Sequence, residues 1–138
     1  TTMRLEVTRR ADLAVRAMVA LGGASGRLKA PALAEALGTT SGFVPQVIGP
    51  LVKAGWVRSD PGPSGGYMNC VDLDKVSLLE VIEAVDGAAD CGPCVTADRP
   101  CYPAEPCPLH FAWSAARRQL LSALGATSMS EVAAGVAQ

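Results

Sequence analysis

Between Thr8 and Leu21 the apolar residues Leu13, Ala14, Ala17, Met18 and Leu21 fall three or four positions apart, the period of one helix face, and Gly22-Gly23 follows as a stop. The same period returns at Leu33, Ala34 and Leu37, behind Pro31, which suits a first helical turn, and ahead of Gly38. A third helix is predicted for Phe43, Val44, Val47, Ile48 and Leu51, with Thr39, Thr40 and Ser41 offering hydroxyl caps and an end at Gly55. Two short helices about a tight turn make a helix-turn-helix candidate.

Beyond Gly55 the period changes. Trp56-Val57-Arg58 and Tyr67-Met68-Asn69-Cys70-Val71 read as strands, and Pro61-Gly62-Pro63-Ser64-Gly65-Gly66 between them fits only a loop. A hairpin directly after a helix-turn-helix is a wing. Cys70, on the return strand, is expected to be a small core residue. Ser77 and Glu80 have the spacing of a capping box ahead of Leu78, Val81, Ile82 and Val85, which predicts a fourth helix to about Asp86, closed by Gly87.

From Asp90 to Pro108 glycine, proline and cysteine dominate and no period is visible, so this loop needs something other than a hydrophobic face to order it. A long helix is then predicted from near Pro108 to about Leu124, with Leu109, Ala112, Trp113, Ala116, Leu120, Ala123 and Leu124 in one stripe. Such a stripe packs either on the chain's own core or on a second copy, and a winged-helix core this small favours a dimer seam. Thr127 to Ala134 reads as a last short helix with Ser128 and Glu131 as its capping pair.

These elements define a mainly α fold with a small β-wing. A winged helix-turn-helix domain spans residues 1–88, a cysteine-rich loop 89–108, and a dimerisation helix with a short terminal helix 109–138. The size of the chain, 138 residues of which 49% are hydrophobic and 18% charged, suits one compact domain plus an appendage. No apolar run approaches the length of a membrane span or a signal peptide, which predicts a cytoplasmic protein without membrane contact.

Charge sharpens the picture. The net charge of −1 conceals eight Lys or Arg against four Asp or Glu in residues 1–70, and four against nine in residues 71–138. The basic half is therefore the place for a nucleic-acid surface. Ser41, Phe43 and Gln46, near the start of the third helix, are placed to reach base edges or phosphate in a major groove, while Arg9, Arg10, Lys53 and Arg58 would contact phosphates. A two-fold homodimer would then meet a palindromic double-stranded operator. No paired acids, nucleophile–base pair or phosphate loop can be assembled, which argues against an enzyme.

Cys91, Cys94, Cys101, Cys107 and His110 fall within twenty residues as C-x2-C-x6-C-x5-C-x2-H. In a reducing compartment such thiols read as metal ligands or redox sensors before they read as disulfides, and the odd total of five cysteines points the same way. Soft thiolates at short spacing favour an iron–sulfur cluster or zinc, and the spacing alone leaves both open. His110 is either a polar residue at a helix start or a further ligand on the same face as Cys107. A zinc-stabilised winged helix and a thiol-based redox regulator without metal are the alternatives.

The order of elements, Gly55-Trp56-Val57 leading to Gly65-Gly66-Tyr67, the run "SLLEVIEAVDG" and the cysteine loop with "CPLHFAW" together resemble the winged-helix iron–sulfur regulators that include IscR and NsrR. The resemblance covers nearly the whole chain, and the cysteine segment is its most specific part. It implies a DNA-binding regulator that senses redox state, nitric oxide or iron–sulfur status through a [2Fe-2S] or [4Fe-4S] cluster. Cys94, Cys101 and Cys107 match the cluster cysteines, with Cys91 as an extra thiol. One branch completes its site with a histidine separated from the third cysteine by two residues, which His110 matches. Another uses an acidic residue from the first helix of the other subunit, and Asp12 is similar to it, the competing reading being a solvated helix charge.

The chain departs from that family at several points. Two extra residues stand between Met3 and Asp12. Pro45 and Pro50 occupy the third helix, where Pro50 would remove the backbone bond to Gln46 and bend the helix. The wing reads Asp60-Pro61-Gly62 where arginine is common in the family, leaving Arg58 as the only cation expected nearby.

Overall fold

The computed structural model describes residues 7–87 and 108–136. Helix α1 (Arg9–Gly23) is the hub of the fold: it packs against α2 (Ala30–Leu37), α3 (Val44–Lys53), α4 (Leu78–Asp86) and α6 (Met129–Val136). Leu13, Ala14, Ala17, Met18 and Leu21 are all buried, as their spacing predicts, and Ala11 joins them. The helix runs through the glycine pair expected to stop it and ends at Gly23. Thr8 caps its N-terminus by accepting from the Ala11 N–H, and the same hydroxyl donates to Asp86 at the end of α4, 2.8 Å away. One side chain thereby ties the start of the first helix to the end of the fourth.

Helices α2 and α3 form the helix-turn-helix. Gly38 closes α2 in the left-handed region, at φ 69°, where a Cβ would be strained. The hydroxyl caps expected for α3 are not used. Residues 41–43 form a turn instead, with Phe43 N–H donating to Thr40 C=O and Val44 N–H to Ser41 C=O, so the helix starts later, behind Phe43, with Pro45 in its first turn. Val44, Val47, Ile48 and Leu51 are buried on its inner face.

Strands β1 (Val57–Asp60) and β2 (Gly66–Asn69) pair antiparallel with Val57 opposite Asn69 and Asp60 opposite Gly66. Leu28, from the α1–α2 connection, adds an isolated bridge to Tyr67. Past a 3-10 turn at Leu73–Lys75, Ser77 and Glu80 make the expected capping box at the start of α4.

Helix α5 (His110–Ala126) has no buried residue. At about 1.5 Å per residue it is roughly 25 Å long, and it touches α4. The chain then returns: Leu78 N–H donates to Thr127 C=O and Met129 N–H to Val76 C=O, both at 2.8 Å. Ser128 accepts from the Glu131 N–H at the start of α6, and Met129 is fully buried in the core that α1 organises. The terminal helix therefore shares the hydrophobic core of the winged-helix unit. Among the described residues no helix is long and apolar enough to cross a membrane.

Candidate nucleic-acid interface and cysteine site

The outer face of α3 carries Pro45, Gln46, Gly49, Val52 and Lys53, all exposed, and Ser41 is exposed in the turn before it. Gln46 is the one residue of that face whose side-chain amide can pair bidentately with a base edge, and Lys53 supplies a cation in the last turn. Phe43, expected to reach DNA, is the N-cap of α3, partly buried and packed against the core. Arg9 and Arg10 are exposed in the first turn of α1. Arg10 reaches across to α3, its Nε donating to the Gln46 carbonyl at 3.1 Å. The basic start of α1 and the outer face of α3 are thus joined.

On the wing, Arg58 is held by Asp60, with Nε 3.2 Å from Oδ1. It is not the only cation there. Arg27, from the α1–α2 connection, lies with Nη2 2.9 Å from Asp60 Oδ2. No periodicity flags this residue in the sequence; the Leu28–Tyr67 bridge brings it to the wing.

The cysteine segment bears on chemistry differently. Cys91, Cys94, Cys101 and Cys107 lie outside the described residues. His110 is the first residue of α5, partly buried, with its ring edge-on to Phe111 at a centroid separation of 5.2 Å. Asp12 lies in the first turn of α1 and accepts from Arg16 Nε at 3.0 Å, at the rim of a shallow groove shared with Val15, Val19 and Ala36. That one-turn ion pair fits a solvated helix charge. Cys70 is exposed, not a core residue: β2 ends at Asn69, and the Cys70 thiol turns outward and donates to the Gly55 carbonyl at 3.3 Å. Among the described residues no three metal-ligating side chains converge.

A helix-turn-helix followed at once by a two-stranded wing defines a winged-helix DNA-binding protein. The chain belongs to the Rrf2 family, described as iron-dependent transcriptional regulators, whose profile matches residues 7–135. It is 31% identical over 130 residues to the HTH-type transcriptional regulator IscR of Xenorhabdus nematophila, covering 93% of this chain and 79% of that one. Among solved structures it is similar to CymR, the global cysteine regulator of B. subtilis, with a TM-score of 0.76 at 20% identity over 95% of this chain and 98% of that one. It is also similar to T. potens IscR, with a TM-score of 0.70 at 21% identity over 96% and 88%. This protein is accordingly a DNA-binding transcriptional regulator and not an enzyme.

Proposed function

We propose that this protein is a cytoplasmic, homodimeric regulator that reports redox state, nitric oxide or iron–sulfur status through an iron–sulfur cluster in the segment 89–108. Cys94, Cys101 and Cys107 would hold the cluster, with His110 as the fourth ligand and Cys91 or Asp12 as substitutes. The observation that carries this reading is the position of His110. It opens α5, partly buried and three residues after Cys107 in the sequence, so a ligand set of thiolates and imidazole would lie at the foot of the long helix. The donor chemistry fits a cluster of either nuclearity. The fold itself does not choose, because structures of both CymR and IscR share it.

When bound, the cluster would supply a centre whose oxidation state or integrity changes with the signal. The protein's own residues do the rest. Leu109, Phe111 and Leu120 expose 47%, 75% and 48% of their surface, and a helix so little covered in one protomer supports a dimer seam along α5. Gln46 and Ser41 face outward for base and phosphate contact, while Arg9, Arg10, Lys53 and Arg58 would neutralise phosphates of a palindromic operator. A ligand set fixed at the start of α5 is then positioned to alter the separation of two recognition helices.

Anaerobic purification followed by absorption and Mössbauer spectroscopy tests the reading. Visible absorption with an iron quadrupole doublet is expected. A colourless, zinc-loaded protein would establish the structural-zinc alternative, and metal-free protein whose DNA binding responds fully to oxidant would establish the thiol alternative.

A further inference from the structure

The two faces of the wing are unequal. Alternate strand residues share a face, so Val57, Ser59, Tyr67 and Asn69 lie on one side, where Val57 is buried and Tyr67 packs on the core. Arg58, Asp60, Gly66 and Met68 lie on the other. On this outer face charged side chains from two separate segments meet. Asp60 stands between Arg58, at 3.2 Å from Oδ1, and Arg27, at 2.9 Å from Oδ2.

The backbone is built to bring them together. Leu28, next to Arg27, exchanges two hydrogen bonds with Tyr67, at 2.9 and 2.8 Å. A Cβ on Gly66 would lie 2.8 Å from the Leu28 carbonyl oxygen, and one on Gly65 would lie 2.0 Å from that of Asp60. Neither approach tolerates a side chain, so the glycine pair seats the α1–α2 connection and the strand end against the same strand.

The electrostatics are unusual for a structural ion pair. Asp60 Oδ2 is buried and receives no aligned hydrogen bond, because Arg27 compensates it by charge without donor geometry. Both guanidiniums remain open to solvent, with side chains 40% and 64% exposed. Each engages the carboxylate through one nitrogen and keeps further N–H donors free. With the arginine side of each pair screened by solvent, the pairs add little to stability. What the arrangement does provide is two guanidiniums held beside one carboxylate, with one excess positive charge and N–H donors suited to phosphate oxygens.

We propose that Arg27, Asp60 and Arg58 form a phosphate grip on the outer face of the wing, in which Asp60 is a positioning residue and Arg27 and Arg58 bind the DNA backbone. The proposal rests on the DNA-binding role of the protein and adds a contact from outside the helix-turn-helix and the wing strands. β1 begins four residues beyond the end of α3, so the grip flanks the recognition helix in the chain.

The test uses the whole chain and a duplex that the wild type selects from a random-sequence library, with affinity measured by fluorescence anisotropy across a salt series. Wild-type affinity should fall linearly in log–log form. Arg27→Ala and Arg58→Ala should each reduce the slope by about 0.9 for every phosphate left unneutralised, with unchanged circular dichroism, and Arg27→Lys should restore the slope. Asp60→Asn removes a negative charge, so it should hold or raise affinity for an unselected duplex while lowering affinity for the selected one severalfold. An unchanged slope in Arg27→Ala beside a normal wild-type slope would overturn the grip alone, as would Asp60→Asn binding the selected duplex as tightly as the wild type. A wild type whose binding ignores salt would overturn the DNA-binding role and the grip together.

Discussion

Arg10 Nε donates to the Gln46 carbonyl at 3.1 Å, and Gln46 stands four residues before Pro50 in α3. That carbonyl is the one a proline at position 50 leaves without its helical N–H. A guanidinium from another helix takes the place of the missing donor, and the recognition helix continues through the proline to Lys53. Arg10 therefore has a structural duty beside its expected contact with phosphate.

If Arg10 and Pro50 are coupled in this way, Arg10→Ala should lower stability by about 1 kcal/mol in the wild type, the scale of an ordinary hydrogen bond, since solvent at this exposed site screens the charge. In a Pro50→Ala background, where the backbone bond can form again, the same change should cost less than half as much. Urea denaturation of the four proteins gives the coupling energy directly. Equal costs in both backgrounds would show that the two residues do not share the carbonyl.

The Thr8 hydroxyl accepts from Ala11 N–H at 3.1 Å and donates to Asp86 at 2.8 Å, using its one proton and a lone pair on two helices at once. Thr8→Val keeps the shape and removes both bonds, so it should destabilise by about 1 to 2 kcal/mol. Thr8→Ser should lie close to the wild type in thermal denaturation. Indistinguishable Val and Ser variants would assign the tie between α1 and α4 to packing instead.

Charged substitutions at Ala116 and Leu120, both exposed on α5, should produce monomers in sedimentation velocity while leaving the helical content intact. Neither residue contributes to the buried core of the protomer, so loss of assembly without loss of fold is the expected signature. A dimer that survives both changes would place the interface elsewhere.

Much of this architecture is legible in the sequence. The capping box at Ser77 and Glu80 and the apolar spacing of α1 are local signals, and local signals place those helices within a residue or two. The start of α3 is harder to read because hydroxyls at 39–41 resemble a cap, while the chain there spends its backbone donors on a turn. Small size and a strand-like neighbourhood suggest a core position for Cys70, although counting outward from inward-facing Tyr67 puts position 70 on the opposite side. Arg27 and the Arg10–Gln46 bond escape the sequence for a different reason: each joins segments distant along the chain, and no period encodes such a meeting. Helix α5 has no buried residue, so among the described residues its stripe is at most partly covered.

The coupling between metal and DNA is the most demanding prediction. If Cys101 and Cys107 are cluster ligands, replacing either with alanine should abolish the visible absorption of anaerobically purified protein. Cys70→Ala should preserve it, since that thiol lies on the wing with the Gly55 carbonyl as its partner. Cys94→Ala is expected to remove the centre and Cys91→Ala to spare it. His110→Ala should shift the spectrum without removing the iron if the imidazole is the fourth ligand, because three thiolates would remain. A cluster can bias a conformational equilibrium only by its different affinity for the two states. Cluster-free variants should therefore still dimerise along α5 but bind the selected duplex with an affinity changed by about tenfold, or about 1.4 kcal/mol. Equal operator affinity for cluster-free Cys101→Ala and the clustered wild type, at one salt concentration, would make the centre structural and end the sensor reading.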